Sequence, residues 1–319
     1  MKTLVVGAAM IDMLMKIEAL PKSGEDVLCS ESGIVIGGCA YNAANTLRNL
    51  ESAADLCVPV GKGPYADMIR SELERCGYDI LIQDDSQDNG YCLDLVEATG
   101  ERTFITAQGI EGAFQKKWLD SLDMDQYDSI YVAGYQVCGQ GGQAIGEWLC
   151  GHGDKQIFFA PGPVICSIDA SVMEQIFSVH PILHLNEKEA MDFTRAAFHY
   201  PDPGNSGGAD GHIRAEDILD AVRELYSRTG NLVIVTLGEK GTVYYEGDEF
   251  HTVPSVKTTV VDTIGAGDSH IGAVIGGLKK GLDREESIRL ANRVAAAVVS
   301  VQGPVMDKET FEKRMEEYL

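Results

Sequence analysis

Short runs of Val, Ile, Leu and Ala recur along the chain between segments of helical periodicity, and this alternation constrains the fold most strongly. Apolar runs without polar interruption indicate strands that are buried on both faces, as in a parallel sheet covered by helices. The 319 residues are enough for one large α/β core. We therefore predict an α/β fold with crossover helices, whose buried strands are Thr3–Ala9, Ser129–Ala133, Gln156–Ala160, Ile182–Leu185 and Leu232–Leu237.

The segments between these runs show the apolar spacing of helices. The C-terminal third is mainly helical, and one further strand is expected at Ala53–Val60. The predicted helices are Cys39–Leu50, Tyr65–Cys76, Ala266–Lys280, Arg284–Val301 and Lys308–Tyr318.

Two stretches depart from this pattern because they alternate apolar and polar residues. They are Met13–Ile36 and Gly90–Thr106, and the second contains a hairpin signal at residues 98–101. Alternation indicates a strand with one wet face and one dry face. The two stretches predict either a small separate sheet that covers the core or ordinary edge strands.

The charge and the cysteines restrict the partners and the compartment. A net charge of -23 repels nucleic acid phosphates and anionic lipid, so we expect neither nucleic acid nor membrane as a partner. The eight cysteines form no CxxC pair, which favours free thiols over disulfides. The short apolar run at the N-terminus is interrupted by Asp12 and resembles no secretion signal, so we expect a cytoplasmic protein.

The segment 261–268, VDTIGAGD, precedes an apolar helical run and carries the strongest chemical signal. Glycines at a helix start leave backbone N–H groups open to an anion, and the helix dipole adds to that attraction. A carboxylate beside a bound phosphate is reasonable if it activates a hydroxyl that attacks the phosphate. Asp268 is thus a candidate general base; the alternative is a helix cap.

The segment DTIGAGD resembles the C-terminal signature of the ribokinase-like, or PfkB-type, carbohydrate kinases. Four other stretches resemble landmarks of that family in the expected order, so the resemblance extends over essentially the whole chain. They are GAAMID at 7–12, GGCAYN at 37–42, NEKE at 186–189 and TLGEKG at 236–241.

The resemblance implies a single kinase domain over residues 1–319 with a three-layer α/β/α fold and a β lid at about 13–36 and 88–107. It implies the transfer of phosphate from ATP to a hydroxyl of a small sugar, with Asp268 as the general base and an anion hole at Gly265, Ala266 and Gly267. For the other ligands it implies substrate contacts at Asp12, Gly38, Asn42 and Arg102, nucleotide contacts at Asn186, Thr236, Gly238, Gly241 and Asn292, and water-mediated Mg²⁺ contacts at Asn186 and Glu189.

Several points stay open at the level of sequence. A free sugar is the first choice of acceptor and a nucleoside such as adenosine or pseudouridine is the second, and a binding protein that has lost catalysis is the non-enzymatic alternative. The resemblance also suggests a homodimer through the lid and a monovalent cation such as K⁺ near Asp262, Ile264 and Gly303. Two departures from the family pattern are His270, where relatives often carry an aromatic residue, and Cys39, where ribokinases often carry Lys.

Two rival motifs are weaker. A dinucleotide-binding turn needs a third glycine at the position of His270 and normally opens the fold, so GAG at 265–267 does not fit it. A serine hydrolase motif, GNSGG at 204–208, falls in the Gly- and Pro-rich segment Tyr200–His212, which we predict to be a surface loop.

Overall fold

The computed structural model describes residues 1–198 and 215–318. The predicted loop Tyr200–His212 and the GNSGG motif lie outside the described residues.

An eight-stranded sheet forms the centre of the structure. Its strands at one edge are antiparallel and the others are parallel, which confirms the predicted mostly parallel sheet. In spatial order the strands are β14 (Glu249–Val253), β13 (Thr242–Glu246), β12 (Val233–Thr236), β11 (Ile182–Asn186), β10 (Gln156–Ala160), β9 (Tyr127–Ala133), β1 (Lys2–Val6) and β4 (Ala54–Cys57).

Both faces of this sheet are buried under helices, so the fold has three layers. Successive residues of β1 point to opposite faces, and Leu4 and Val6 pack into one apolar cluster while Val5 packs into the other. The helices are α1 (Cys39–Asn49), α2 (Pro64–Arg75), α3 (Lys116–Leu119), α4 (Gly142–Cys150), α5 (Ala170–Ser178), α6 (Glu187–Phe198), α7 (Ala215–Thr229), α8 (Ala266–Lys279), α9 (Arg284–Val299) and α10 (Lys308–Glu317).

The predicted strand Ala53–Val60 is divided in the structure. Its first half is β4, which pairs with β1, whereas Pro59–Val60 forms β5 and pairs with β6 (Ile82–Gln83). Pro59 has no N–H group and cannot continue a sheet ladder as a donor, so the chain changes partners there.

The two alternating stretches form a separate four-stranded sheet, which is the first of the two predicted alternatives. The strand order is β3 (Glu31–Gly37), β2 (Met10–Ile17), β7 (Tyr91–Glu97) and β8 (Arg102–Ala107). The strand β2 is central and pairs antiparallel with β3 and parallel with β7. We call this element the small sheet.

In the described part of the chain, no helix combines the length and apolarity that crossing a membrane requires. All eight cysteines are free thiols, as expected from their spacing.

Candidate active site

Asp268 lies in the first turn of α8, directly after the glycine-rich turn. The turn depends on Gly265, which has a φ of 73°. A Cβ atom at that position would lie 2.5 Å from the carbonyl oxygen of Pro304, so a larger residue has neither the conformation nor the space. The predicted turn and helix start are therefore present, with Gly265 as the residue before the helix.

The N–H groups of this turn are available to a ligand. Within the described residues the N–H groups of Gly265, Gly267 and Asp268 donate no hydrogen bond, and Ala266 makes one long contact of 3.4 Å to Thr263. A Cβ atom at Gly267 would meet nothing within 4 Å, so the turn faces open space. Free donors at a helix N-terminus are the elements of an anion site.

Asn42 and Asp268, 226 residues apart in the chain, meet at the mouth of α8. The Nδ2 atom of Asn42 donates a hydrogen bond of 2.8 Å to Oδ2 of Asp268. The Oδ1 atom of Asn42 is buried without a partner, which leaves an acceptor for a ligand hydroxyl. Loss of solvent raises the pKa of Asp268, whereas hydrogen bonds from Asn42 and Cys39 lower it.

Asp12 lies on β2 of the small sheet and faces the same cleft. Burial, together with the charges of Asp94 and Asp268, raises its pKa to about 7. Gly37 makes room for this carboxylate, because a Cβ atom there would lie 2.2 Å from Oδ2 of Asp12. Gly38 has a φ of 99° and begins α1 close to the carbonyl oxygen of Ala8.

Three residues at the site were not predicted. Gly37 was quoted only as part of a motif, although its missing side chain accommodates Asp12. Burial and the charge of Asp268 raise the pKa of the Cys39 thiol, which places Cys39 beside the candidate base. Burial, Cys39 and Asp268 also raise the pKa of Tyr135, which follows the carboxyl end of β9. Its position at a strand end in an α/β sheet was the available signal.

Arg102 extends from the small sheet to two carboxylates rather than into open space. Its Nη1 atom lies 2.8 Å from Oδ2 of Asp94, and its Nη2 atom lies 2.9 Å from Oδ1 of Asp262. The Asp262 carboxylate also accepts hydrogen bonds from the N–H groups of Ile264 and Gly303. The structure thus brings together the three residues of the suggested cation site. The substrate role of Arg102 stays a prediction.

Asn186 and Glu189 form a reciprocal cap at the start of α6. The Asn186 side chain accepts from the Glu189 N–H at 2.8 Å and donates to Glu189 Oε1 at 2.8 Å. Burial raises the pKa of Glu189, and the charge of Asp268 also raises it, so the two carboxylates lie near each other. Their predicted metal role is compatible with this cap, because carboxylate and amide oxygens can hold Mg²⁺ through its waters.

Three predicted nucleotide residues lie at the carboxyl end of β12. Thr236 is the register partner of Asn186 on the neighbouring strand. Gly238 and Gly241 have φ values of 58° and 99° in the turn that follows. Because β12 pairs with β11, this turn follows the strand next to Asn186.

Asn292 is buried beside Thr242, the register partner of Thr236, and its side chain bonds to other protein groups. Its amide donates to the carbonyl oxygens of Val253 and Pro254, and its Oδ1 atom accepts from Thr242. His270 lies 3.1 Å from the same oxygen and 2.9 Å from His184. His270 therefore belongs to a buried polar chain, and an adenine contact from Asn292 stays a prediction.

The structure brings Asp12, Gly38, Asn42 and Asp268 into one cleft beside the glycine-rich turn. Asn186, Glu189 and Thr236 border it at the carboxyl ends of β11 and β12. Phosphoryl transfer to an alcohol requires a base, N–H donors for the phosphate charge and acceptors that orient the hydroxyl. The carboxylate of Asp268, the free N–H groups of the turn and the carboxylate of Asp12 are groups of these three kinds.

Comparisons with known proteins identify the family of the chain. The family described as pfkB family carbohydrate kinase matches residues 2–310. The uncharacterized sugar kinase YegV of Escherichia coli (strain K12) is 34% identical over 300 residues, which cover 94% of this chain and 89% of the relative.

Two solved structures share the fold at lower identity. Arabidopsis thaliana ribokinase, complexed with ribose and ATP, has a TM-score of 0.71 and 20% identity, with 99% of this chain and 98% of that chain covered. A Burkholderia thailandensis nucleoside kinase in complex with inosine has a TM-score of 0.78 and 19% identity, with the same coverage. From the site and the match over residues 2–310, the chain belongs to the pfkB family of carbohydrate kinases, which are phosphotransferases that act on hydroxyl acceptors.

Proposed function

We propose that this protein phosphorylates a hydroxyl of a small sugar with ATP, using Asp268 as the general base. The observation that carries the proposal is the Asp268 carboxylate at a helix start whose N–H groups are free, held by Asn42 from a second element. The similarity to a named sugar kinase supports a sugar acceptor over a nucleoside. A nucleoside remains the second candidate, since a protein of the same fold is a nucleoside kinase bound to inosine.

The residues around Asp268 bind the acceptor, take its proton and stabilise the transferred group. Asp12 and the unpaired Oδ1 of Asn42 accept hydrogen bonds from acceptor hydroxyls and orient the sugar. Asp268 takes the proton from the attacking hydroxyl as the phosphoryl group approaches. The N–H groups of the 265–267 turn donate to the charge that develops on that group. Asn42 holds Asp268 in place and favours its ionised form.

Asn186 and Glu189 would hold Mg²⁺ through water beside the nucleotide phosphates. Their oxygens are the hard ligands that Mg²⁺ prefers, and Glu189 lies near Asp268. Within residues 1–198 and 215–318 no group of three His, Cys, Asp or Glu side chains is placed to hold a metal ion directly. When bound, the ion would neutralise phosphate charge. Thr236, Gly238 and Gly241 would border the nucleotide next to it.

The experiment is an ADP-release assay with ATP and a panel of free sugars and nucleosides, with and without Mg²⁺. We expect turnover with at least one sugar and none after chelation by EDTA. Turnover with nucleosides alone would make the nucleoside kinase correct. Ligand binding without turnover on any acceptor would favour the binding protein.

Two glycine variants test the anion hole. Gly265→Ala should lower kcat by about 100-fold or more, because the added Cβ meets Pro304 and forces the turn out of its left-handed conformation. Gly267→Ala is the matched control for the fold, since its Cβ meets nothing within 4 Å. We expect Gly267→Ala to unfold at the temperature of the wild type. Equal kcat values for Gly265→Ala and the wild type would contradict the role of the turn.

We propose that the small sheet is a lid, since one of its faces carries Asp12 and Arg102 toward the site. The register places Ile34, Met13, Leu93 and Ile105 in one apolar row on the opposite face, in which Met13 packs against the core of its own chain. Ile34 and Ile105 are 55% and 54% exposed. We propose that a second copy of the chain covers this row, because a two-fold contact between like apolar faces is self-complementary.

Sedimentation velocity tests the dimer. We expect the wild type to sediment as a dimer and Ile105→Glu to sediment as a monomer, because a charge would then be buried in the contact. Val260→Glu is the matched control, since Val260 is 62% exposed on another part of the surface. A wild-type monomer, or an unchanged Ile105→Glu dimer, would contradict the proposal.

Two further proposals concern a K⁺ site and the cellular compartment. K⁺ would bind near the backbone of Asp262, Ile264 and Gly303, which hydrogen bonds through the Asp262 carboxylate hold together. Replacement of K⁺ by tetramethylammonium in the assay tests this.

We also propose that the protein works in the cytoplasm, which supplies ATP and keeps thiols such as its eight free cysteines reduced.

A further inference from the structure

The carboxylate of Asp262 braces the anion-hole turn. Its Oδ1 atom accepts from the N–H of Ile264 at 2.9 Å, and its Oδ2 atom accepts from the N–H of Gly303 at 3.0 Å. The residues that follow Ile264 and Gly303 are also in contact, because Gly265 lies against Pro304. The orientation of the turn therefore depends on where this one carboxylate is held.

A charge from the small sheet holds that carboxylate. Arg102 forms a fork in which one nitrogen pairs with Asp262 and the other pairs with Asp94 of the adjacent strand. The two carboxylates are 3% and 2% exposed and Arg102 is 19% exposed, so all three are shielded from water. Among the ion pairs of residues 1–198 and 215–318, this is the one that joins the small sheet to the rest of the fold.

The fork has one favourable geometry. A planar guanidinium binds two carboxylates in fixed directions, which a single ammonium cannot reproduce. Asp94 depends on it, because its Oδ1 atom is buried without a partner and burial raises its pKa. Displacement of the small sheet would separate Arg102 from Asp262 and leave a buried carboxylate without its cation.

We propose that Arg102 is a positioning residue that couples the seating of the lid to the geometry of the anion hole. The inference rests on the proposed kinase function. When the small sheet is seated over the acceptor, Arg102 fixes Asp262, and Asp262 directs the N–H groups of the turn toward the transferred phosphoryl group. When the sheet is displaced, the cleft opens to water and the turn loses its brace.

The first test is the partition of the phosphoryl group between acceptor and water. ATP hydrolysis and acceptor phosphorylation are measured together at saturating acceptor for the wild type, Arg102→Ala and Arg102→Lys. We expect Arg102→Ala to shift the ratio toward hydrolysis by about tenfold or more, with a smaller shift for Arg102→Lys. This ratio does not depend on the fraction of folded protein, so a purely structural role leaves it unchanged. If Arg102→Ala does not fold, Arg102→Lys carries the test.

Lys16→Ala is the matched control. Lys16 is a cation on the same small sheet that pairs with Glu31 at 2.6 Å, but the pair is exposed and stays within the sheet. We expect its partition ratio to equal that of the wild type. Asp262→Asn should shift the ratio as Arg102→Ala does, and the double variant should add nothing further, because both act through one contact. Additive shifts, or an unchanged ratio in Arg102→Ala, would overturn the proposal.

Hydrogen exchange gives a readout that needs no substrate. Arg102→Ala should increase amide exchange both at 91–107 and at 262–268 by about tenfold or more, whereas Lys16→Ala should leave 262–268 unchanged. Unchanged exchange at 262–268 in Arg102→Ala would refute the brace. A wild type without turnover on any acceptor would refute the proposed function, whereas an active wild type and an unchanged Arg102→Ala partition refute only this inference.

Discussion

The Asp268→Asn variant is expected to bind ATP and to lose about 1,000-fold or more in kcat, because an amide cannot accept the hydroxyl proton. The change removes the base but keeps the volume of the side chain and its contact with Asn42. Burial of the charged form is unfavourable at this position, as the raised pKa shows, so the loss of charge should not destabilise the fold.

The control for this variant is Asp67→Asn. Asp67 occupies the first turn of α2, as Asp268 does in α8, but its side chain is 75% exposed and pairs with Arg70 on the surface. Isothermal titration measures the affinity for ATP, and steady-state kinetics on the accepted substrate measure kcat. Near-normal kcat in Asp268→Asn would remove Asp268 from the mechanism and leave it as a helix cap.

The acceptor affinity is expected to depend on pH through Asp12, because its pKa is raised to about 7 by burial and by the charges of Asp94 and Asp268. Asp12 accepts hydroxyl hydrogen bonds best as an anion. As the pH falls below about 7, protonation of the free enzyme should lower kcat/KM, by up to tenfold per pH unit. Above pH 7 this dependence should disappear.

Asp12→Asn isolates the effect. An amide does not titrate, so kcat/KM should fall by about 10- to 100-fold at pH 8, which corresponds to the loss of hydrogen bonds to a charged group. The acidic limb centred near pH 7 should be absent from the profile of this variant. Profiles of kcat/KM from pH 5 to 9 measure both changes, and a variant with the midpoint of the wild type would exclude Asp12 as its source.

Local patterns were sufficient to predict most of the fold. Gln156–Ala160 was predicted as β10 with both ends correct, because an uninterrupted apolar run has a strand as its simplest interpretation. The turn before α8 was also predictable from local sequence, because a left-handed backbone conformation such as that of Gly265 favours glycine. The division of 53–60 into β4 and β5 was not, because the choice of partner strand is made by residues elsewhere.

The sequence by itself determined the buried parallel strands β1, β9, β10, β11 and β12, the starts of the predicted helices and the glycine-rich turn with its carboxylate, because these depend on neighbours within a few residues. Only the tertiary structure decided that Asn42 binds Asp268 across 226 residues, that Arg102 bridges Asp94 and Asp262, and that Asp12 has a pKa near 7. These properties arise from loss of solvent and from charges a few ångströms apart. Such distances are fixed when the small sheet packs over the core, and no local pattern contains them.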